Sequence, residues 1–228
     1  MNVQIYKTHE EMSAAAADFL VAQLLMKPDC HMGLTAGATP QLMFDILVKR
    51  YQDKHVSFAK CTLYNLEEYV DVPSHDPATL RVGYFHRRLL DHVDATDEQL
   101  LMPDGYADGI EEACRKYDAL MDSLPDGRLD FQLLGIGADA HIGMNKPNET
   151  LSGPAHPAQS VSGHTCAAMG LRHIWKAKKL LLIANGEAKA EAVAKMVNGP
   201  ITTMAPASLL QLHPDVTIML DAPAASKL

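Results

Sequence analysis

Residues 135–147 read GIGADAHIGMNKP. An acid and an imidazole stand two apart there, Asp139 and His141, among glycines and at the end of the apolar run FQLLGI (131–136). Histidine titrates near neutrality, so it can both take and give a proton. A neighbouring carboxylate can fix its tautomer and stabilise its charged form. The spacing alone leaves a second reading open, a hydrogen-bonded structural pair on an irregular turn. Five residues after the histidine stands a cation, Lys146. If close to either partner, it would lower the pKa of Asp139 and disfavour protonated His141.

Three other stretches carry residues suited to the same kind of site. Glu67 and Glu68 directly follow CTLYNL (61–66). Adjacent carboxylates point in different directions, so at most one enters a site easily. A base that abstracts a carbon-bound proton needs its carboxylate held dry beside the substrate; the alternative is a solvated acidic loop. In TAGATP (35–40), Gly37 permits close approach and the free N–H groups at a helix start favour an anion. Thr39 there can cap the helix or donate to a phosphate oxygen. Lys189 opens the helix after KLLLIA (179–184), against the helix dipole, where a second phosphate ligand would sit.

Some chemistries are not indicated. TAGATP has neither a Walker lysine nor GxGxxG. GIGADA matches a dinucleotide fingerprint in letters only, because Gly143 and Pro147 interrupt the helix it should open. No acidic residue ends a strand about 20 residues later for a ribose. His31, His86, His92 and His213 have no spacing that builds a metal site, and none is expected. The four cysteines lie far apart without a CxxC pair, which reads as reduced, buried thiols.

Elements must position these groups. Apolar runs at 3–6, 31–35, 61–66, 131–136, 179–184 and 216–220 predict strands, with FQLLGI buried on both faces. Thr8 with Glu11 signals the start of a helix over 9–26, and Pro40 fits a helix's first turn. Helical patterns recur near 79–91, 108–123, 187–197 and 206–212. Strands separated by helices imply a mostly parallel sheet covered on both sides, with ligands at the carboxyl ends of its strands. The stretch 146–165 is the least regular, with no periodicity. Residues 1–228 are expected to form one domain.

The composition fits an ordinary globular protein, 47% hydrophobic and 21% charged. A net charge of −8 argues against a nucleic-acid partner but not against a phosphorylated metabolite, which needs only a local cationic pocket. The N-terminus lacks a signal-peptide pattern, and SAAAADFLVAQLLM (13–26) is too short for a membrane span. A cytoplasmic protein with no membrane partner is expected.

In order, TAGATP, LYNLEEY, LLGIGADAHIGMNKP, ANGEAKAEAV and GP…PASLLQLHPDVTIMLD resemble the glucosamine-6-phosphate deaminase/isomerase family. Its relatives include galactosamine-6-phosphate isomerases and 6-phosphogluconolactonases. The resemblance runs across nearly the entire chain, and HIxxN with LQLHP points to the amino-sugar branch. It implies a modified Rossmann-like three-layer α/β fold, a mostly parallel sheet flanked by helices. It also implies a sugar-phosphate substrate and no cofactor: an amino-sugar 6-phosphate and water give a ketose 6-phosphate and ammonia. By motif, His141 would open the ring, Asp139 orient it, and Glu67 shuttle a proton between C2 and C1, with Lys146 in the catalytic set. The phosphate would sit on Gly37, Ala38, Thr39, the Gly135 backbone and Lys189. Members are often oligomeric, which leaves a homo-oligomer open.

The chain departs from the family pattern in four places. Glu67 stands where an Asp is usual, and Lys146 replaces an acid. Ala36 and Ala38 occupy a turn that usually bears hydroxyls. The stretch after NKP is short, leaving Arg172 as a lid phosphate ligand by proximity only. These departures point to a divergent member acting on a related phosphorylated sugar. A lactonase-type hydrolase, which needs no carbon base, and a sugar-phosphate-binding protein without turnover remain the competing functions.

Overall fold

The computed structural model describes residues 1–104, 106 and 109–228. The chain opens with β1 (Asn2–Tyr6) and α1 (His9–Met26). Thr8 caps α1 through its hydroxyl, which accepts the Glu11 N–H at 3.2 Å. The Glu11 carboxylate in turn reaches the Lys7 N–H at 3.0 Å, one residue earlier than in a regular capping box. There follow β2 (His31–Leu34), α2 (Gln41–Gln52), β3 (Thr62–Asn65) and β4 (Glu67–Tyr69). A π-helical turn, Arg81–His86, leads through two short 3-10 turns to β5 (Leu100–Leu101) and α3 (Ile110–Asp122). Then come β6 (Phe131–Leu134), β7 (His156–Gln159), β8 (Thr165–Ala168), α4 (Leu171–Lys176), β9 (Leu180–Ala184) and α5 (Ala190–Asn198). A 3-10 helix, Pro206–Leu212, precedes β10 (Val216–Asp221).

Seven strands form one sheet in the order β1-β10-β9-β6-β2-β3-β5, every neighbouring pair parallel. Burial on both faces explains the mostly apolar runs of the central strands: β6, β9 and β10 are buried at every residue. Alternate side chains feed two cores. Met32, Leu34, Leu133 and Ile183 pack with Leu20 of α1 and Phe44 of α2. Tyr64, Leu134, Leu182 and Ile218 pack with Tyr117 of α3 and Met196 of α5. This gives the three-layer α/β arrangement, helix on sheet on helix. Among the described residues no helix is long and apolar enough to cross a membrane.

The irregular stretch 146–165 is a correction. It holds β7 and the turn into β8, which with β4 make a second, antiparallel sheet of order β4-β8-β7. Pro157 hides the strand from a propensity reading, yet β7 is an edge, where a missing N–H costs no ladder bond. The helical pattern near 79–91 is met by the π-turn and 3-10 turns rather than one α-helix. Asp108, at the expected start of the next helix, lies outside the described residues.

Glu68 explains how the π-turn is held. Its buried carboxylate accepts the N–H groups of Tyr69 (2.7 Å), Leu80 (2.8 Å) and Arg81 (2.8 Å). It therefore satisfies donors that open the turn and ties them to the small sheet. Burial raises its pKa, and the three N–H bonds oppose that rise. Replacing Glu68 with Ala leaves three donors without this acceptor, so unfolding in urea should show a loss of about 3 kcal/mol. A loss below ~0.5 kcal/mol would mean that water replaces the carboxylate freely.

Candidate active site

β2 and β6 lie side by side at the centre of the sheet, but the chain leaves them in opposite directions, β2 toward β3 and β6 toward β9. Their following loops part, and the resulting crevice is the topological switch point at which ligands bind in such sheets. A cleft of about 880 Å³ opens there. Its walls include nine of the residues singled out in the sequence: Gly37, Ala38, Thr39, Glu67, Gly135, Asp139, His141, Lys146 and Lys189. Tyr69 and Tyr84 also line it, as do Ser160 and Val161 at the tip of the β7–β8 hairpin.

The loop after β6 presents the imidazole. Gly137 donates to the His141 carbonyl at 3.0 Å and accepts from Ala140 N–H at 2.9 Å, closing a tight turn. Ala140 completes it at φ +66, a conformation strained for a residue with a Cβ. The Ala140 carbonyl is held from outside by the Ala207 N–H at 2.9 Å, so the PASLLQL segment buttresses this turn. Asn145 anchors its far end, donating from Nδ2 to the carbonyls of Ile142 and Met169, each at 3.1 Å. In this frame His141 Nδ1 lies 2.5 Å from Asp139 Oδ1, and the same oxygen accepts the His141 N–H at 3.2 Å. Partial burial works against the Asp139 charge, but the N–H bond and the imidazole outweigh it and hold the carboxyl below its usual range. With Nδ1 engaged, Nε2 is the nitrogen left for a ligand.

The two glutamates take separate roles. Glu68 is turned into the protein as described. Glu67 lines the cleft, and its Oε2 is buried with no hydrogen-bond partner. Burial first, and the neighbouring Glu68 charge second, push its pKa up to about 7. A carboxylate so poorly solvated is a stronger base than an exposed one.

The anion-binding side is a turn with its donors free. Gly37 has φ +124, and a Cβ there would meet open space. The N–H groups of Gly37, Ala38 and Thr39 find no acceptor among the described residues. Thr39 does not cap α2, which has no side-chain cap bond; its hydroxyl donates to Asn185 Oδ1 at 2.7 Å. Lys189, half-buried in the turn that opens α5, faces the same cleft.

Lys146 lies on the wall, where its Nζ donates to the Gln159 carbonyl at 3.0 Å and so ties the His141 loop to the hairpin. Arg172 is not brought to the cleft. It bonds Asp122 at 3.0 Å and lies 3.5 Å from Asp118, both on α3, which corrects its assignment by proximity. Cys166 lines the cleft, but burial pushes its thiol up to about 12, so it stays protonated. All four cysteines are free and buried. Sequence reasoning missed Tyr84 and Asn185, whose contacts reach the 37–39 turn from 47 and 146 residues away.

A family model described as glucosamine-6-phosphate isomerases/6-phosphogluconolactonase matches residues 7–219. The chain belongs to this family. The glucosamine-6-phosphate deaminase of Clostridioides difficile is 38% identical over 246 residues, covering 100% of this chain and 97% of that relative. That of Thermoanaerobacter pseudethanolicus is 36% identical over 243 residues, covering 99% and 94%. A solved monomeric glucosamine-6-phosphate deaminase matches with a TM-score of 0.93 at 35% identity, covering 100% of both chains. The 6-phosphogluconolactonase of Trypanosoma brucei, at 16% identity and a TM-score of 0.77, shares the fold. The short stretch after NKP thus sits in a chain that this family's deaminases match end to end.

Two measurements probe this geometry. A Cβ on Gly137 would fall 2.1 Å from the His141 ring and 2.7 Å from Asp139 Oδ1. In Gly137→Ala the ring must swing away while the fold persists, so kcat/KM should fall about 10²-fold with little change in Tm. Unchanged kcat/KM would mean that the pair is not used as placed. The second measurement is stability against pH. The folded chain holds the Glu67 proton up to about 7, against 4.5 for a free carboxyl. Stability therefore falls as pH rises through that window, by up to ~3 kcal/mol before cleft water reduces it. Glu67→Gln has no such proton to lose, so its Tm should match wild type near pH 5 and exceed it at pH 8. Equal differences at the two pH values would place the carboxyl in water.

Proposed function

We propose that this protein converts an amino-sugar 6-phosphate and water into a ketose 6-phosphate and ammonia, with residues 1–228 acting as one domain. The observation that carries this reading is Glu67: a carboxylate with a buried, unpartnered oxygen, on the same cleft as the His141–Asp139 pair and a turn of free N–H groups. The full-length similarity to glucosamine-6-phosphate deaminases supports the substrate class.

The steps follow from what each group can do. The phosphate rests on the N–H groups of 37–39 and on Lys189, which fixes the sugar's far end. His141, held by Asp139 through Nδ1, relays a proton at the ring oxygen through Nε2, and the ring opens to the aldehyde. Glu67, deprotonated, takes the proton from C2 and returns it at C1. An amino N–H proton passes to O1 in the same shift, C2 becomes an imine carbon, and water hydrolyses the imine with release of ammonia. Lys146 acts here as part of the wall, holding the hairpin over the cleft through Gln159.

A lactone hydrolase would use His141 and the phosphate turn but would leave Glu67 idle. The purified protein should therefore be offered glucosamine 6-phosphate, galactosamine 6-phosphate and 6-phosphogluconolactone, with ammonia, ketose phosphate and acid followed in parallel. Ammonia with an amino sugar, lost in His141→Ala and in Glu67→Gln, is the expected result. Its kcat/KM should rise with pH through an acid limb near 7, because only ionised Glu67 can accept the C2 proton. Acid released from the lactone alone, unaffected by Glu67→Gln, would sink the proposal.

A further inference from the structure

The free N–H groups of the 37–39 turn are useful to an anion only if the peptide planes are held in place. Three side chains from distant elements hold them. His9 of α1 has Nε2 3.2 Å from the Thr39 carbonyl. Asn185, after β9, receives the Thr39 hydroxyl. Tyr84, in the π-turn, donates its hydroxyl to the Gly37 carbonyl at 2.7 Å. The last contact acts on the peptide that matters most. In a trans peptide the carbonyl and the next N–H point in opposite directions, and the described residues hold no cis peptide. Drawing the Gly37 oxygen to Tyr84 therefore sends the Ala38 N–H to the other side, where it finds no acceptor among the described residues.

We propose that Tyr84 is a positioning residue for phosphate: its hydroxyl locks the 37–38 peptide so that the Ala38 N–H stays aimed at the substrate's phosphate oxygens. The inference rests on the anion-binding turn assigned above and assigns a residue that acts through the backbone of that turn. Its hydroxyl is a dependable donor, since burial raises the phenol's pKa and keeps it protonated.

The rest of the structure is built to deliver this one hydroxyl. The Tyr84 ring packs edge-on against Phe44 and Phe85, with centroids 6.1 and 5.2 Å apart, which fixes its direction. The π-turn that carries it begins at the Leu80 and Arg81 N–H groups held by Glu68. Gly83 lets that turn pass the Pro77 carbonyl, which would lie 2.4 Å from a Cβ. The wider winding rotates Tyr84 away from the direction an α-helix would give it, as π-turns at functional sites often do. Thus one strand, β4, serves both ends of the proposed substrate: Glu67 faces the chemistry and Glu68 sets the turn whose tyrosine arranges the phosphate cradle.

The test compares full-length wild type with Tyr84→Phe, which keeps the ring packing and removes only the hydroxyl. Inorganic phosphate is the probe, titrated by calorimetry, so the readout does not depend on turnover. Wild type should bind phosphate, and the variant should bind it about 3- to 10-fold more weakly, the effect of losing one hydrogen bond. With an amino-sugar 6-phosphate, KM should rise by the same factor while kcat stays within about 2-fold, because the reacting carbons are untouched. Unchanged thermal unfolding would exclude a general loss of structure. Equal phosphate affinity in the two proteins overturns the role of Tyr84 while leaving the cradle in place. A wild type that binds no phosphate overturns the cradle and Tyr84 together. The weakening seen in a protein that turns over no amino sugar supports Tyr84 and removes only the proposed reaction.

Discussion

The site exists because β2 and β6 are neighbours from which the chain departs in opposite directions. The chain leaves β2 toward β3 and β6 toward β9, so the loops after Leu34 and Leu134 diverge and leave a crevice. That single topological fact places a helix-opening turn with free N–H groups opposite a loop that presents an imidazole. Neither loop could supply both functions: the 35–40 turn carries no titratable side chain, and the 137–141 turn uses its Gly137 N–H and carbonyl to close on itself.

Around this crevice the chain repeatedly pairs a group facing the cleft with a neighbour that fixes the backbone. Glu67 lines the cleft, and Glu68 is spent on three backbone donors. His141 faces outward, while Asn145 binds the Met169 carbonyl to hold the loop against β8 and α4. Asn185 takes the Thr39 hydroxyl, and the adjacent Gly186 N–H is gripped by the Asp221 carboxylate at 3.0 Å. The C-terminal LQLHP motif is structural in the same sense. Gln211 Nε2 donates to the Met196 and Gly199 carbonyls at the end of α5, each at 2.9 Å, and buried His213 reaches the Ala177 carbonyl at 2.9 Å. Preorganised donors cost no rearrangement when the substrate arrives, which is where such sites gain most.

This division also explains what the sequence could reveal. Of the six strands read from apolar runs, β6, β9 and β10 are buried at every residue, so their composition alone betrays them, while the edge strand β1 is partly exposed. The small sheet escaped because β4 and β7 owe their conformation to the partner β8 rather than to their own residues. Periodicity over 79–91 signalled a helix but not its winding, which is set by Glu68 and by the approach of Pro77 to Gly83. Most residues that converge on the cleft were legible because they sit next to a strand end or in a glycine turn. Tyr84 and Asn185 carry no local mark, since their role lies in contacts with a turn far away in the chain. Arg172 was misplaced for the complementary reason, for α4 turns it toward the acids of α3.

The departures from the family pattern can now be weighed against the space around them. A glutamate at position 67 reaches farther than an aspartate, by about one carbon–carbon bond. Its cross-strand partner on β8 is Ala168, whose small side chain leaves room for the longer arm. The carboxyl can therefore reach the cleft without forcing β4 out of register. Lys146 is likewise accommodated by redirecting it: its ammonium is engaged by the Gln159 carbonyl at the end of β7. A cation that would oppose a protonated imidazole if left free is instead used to fasten the hairpin that roofs the cleft. The two substitutions thus act on one small sheet, lengthening the base on its β4 edge and pinning its β7 edge. The His141–Asp139 pair keeps its own hydrogen bonds.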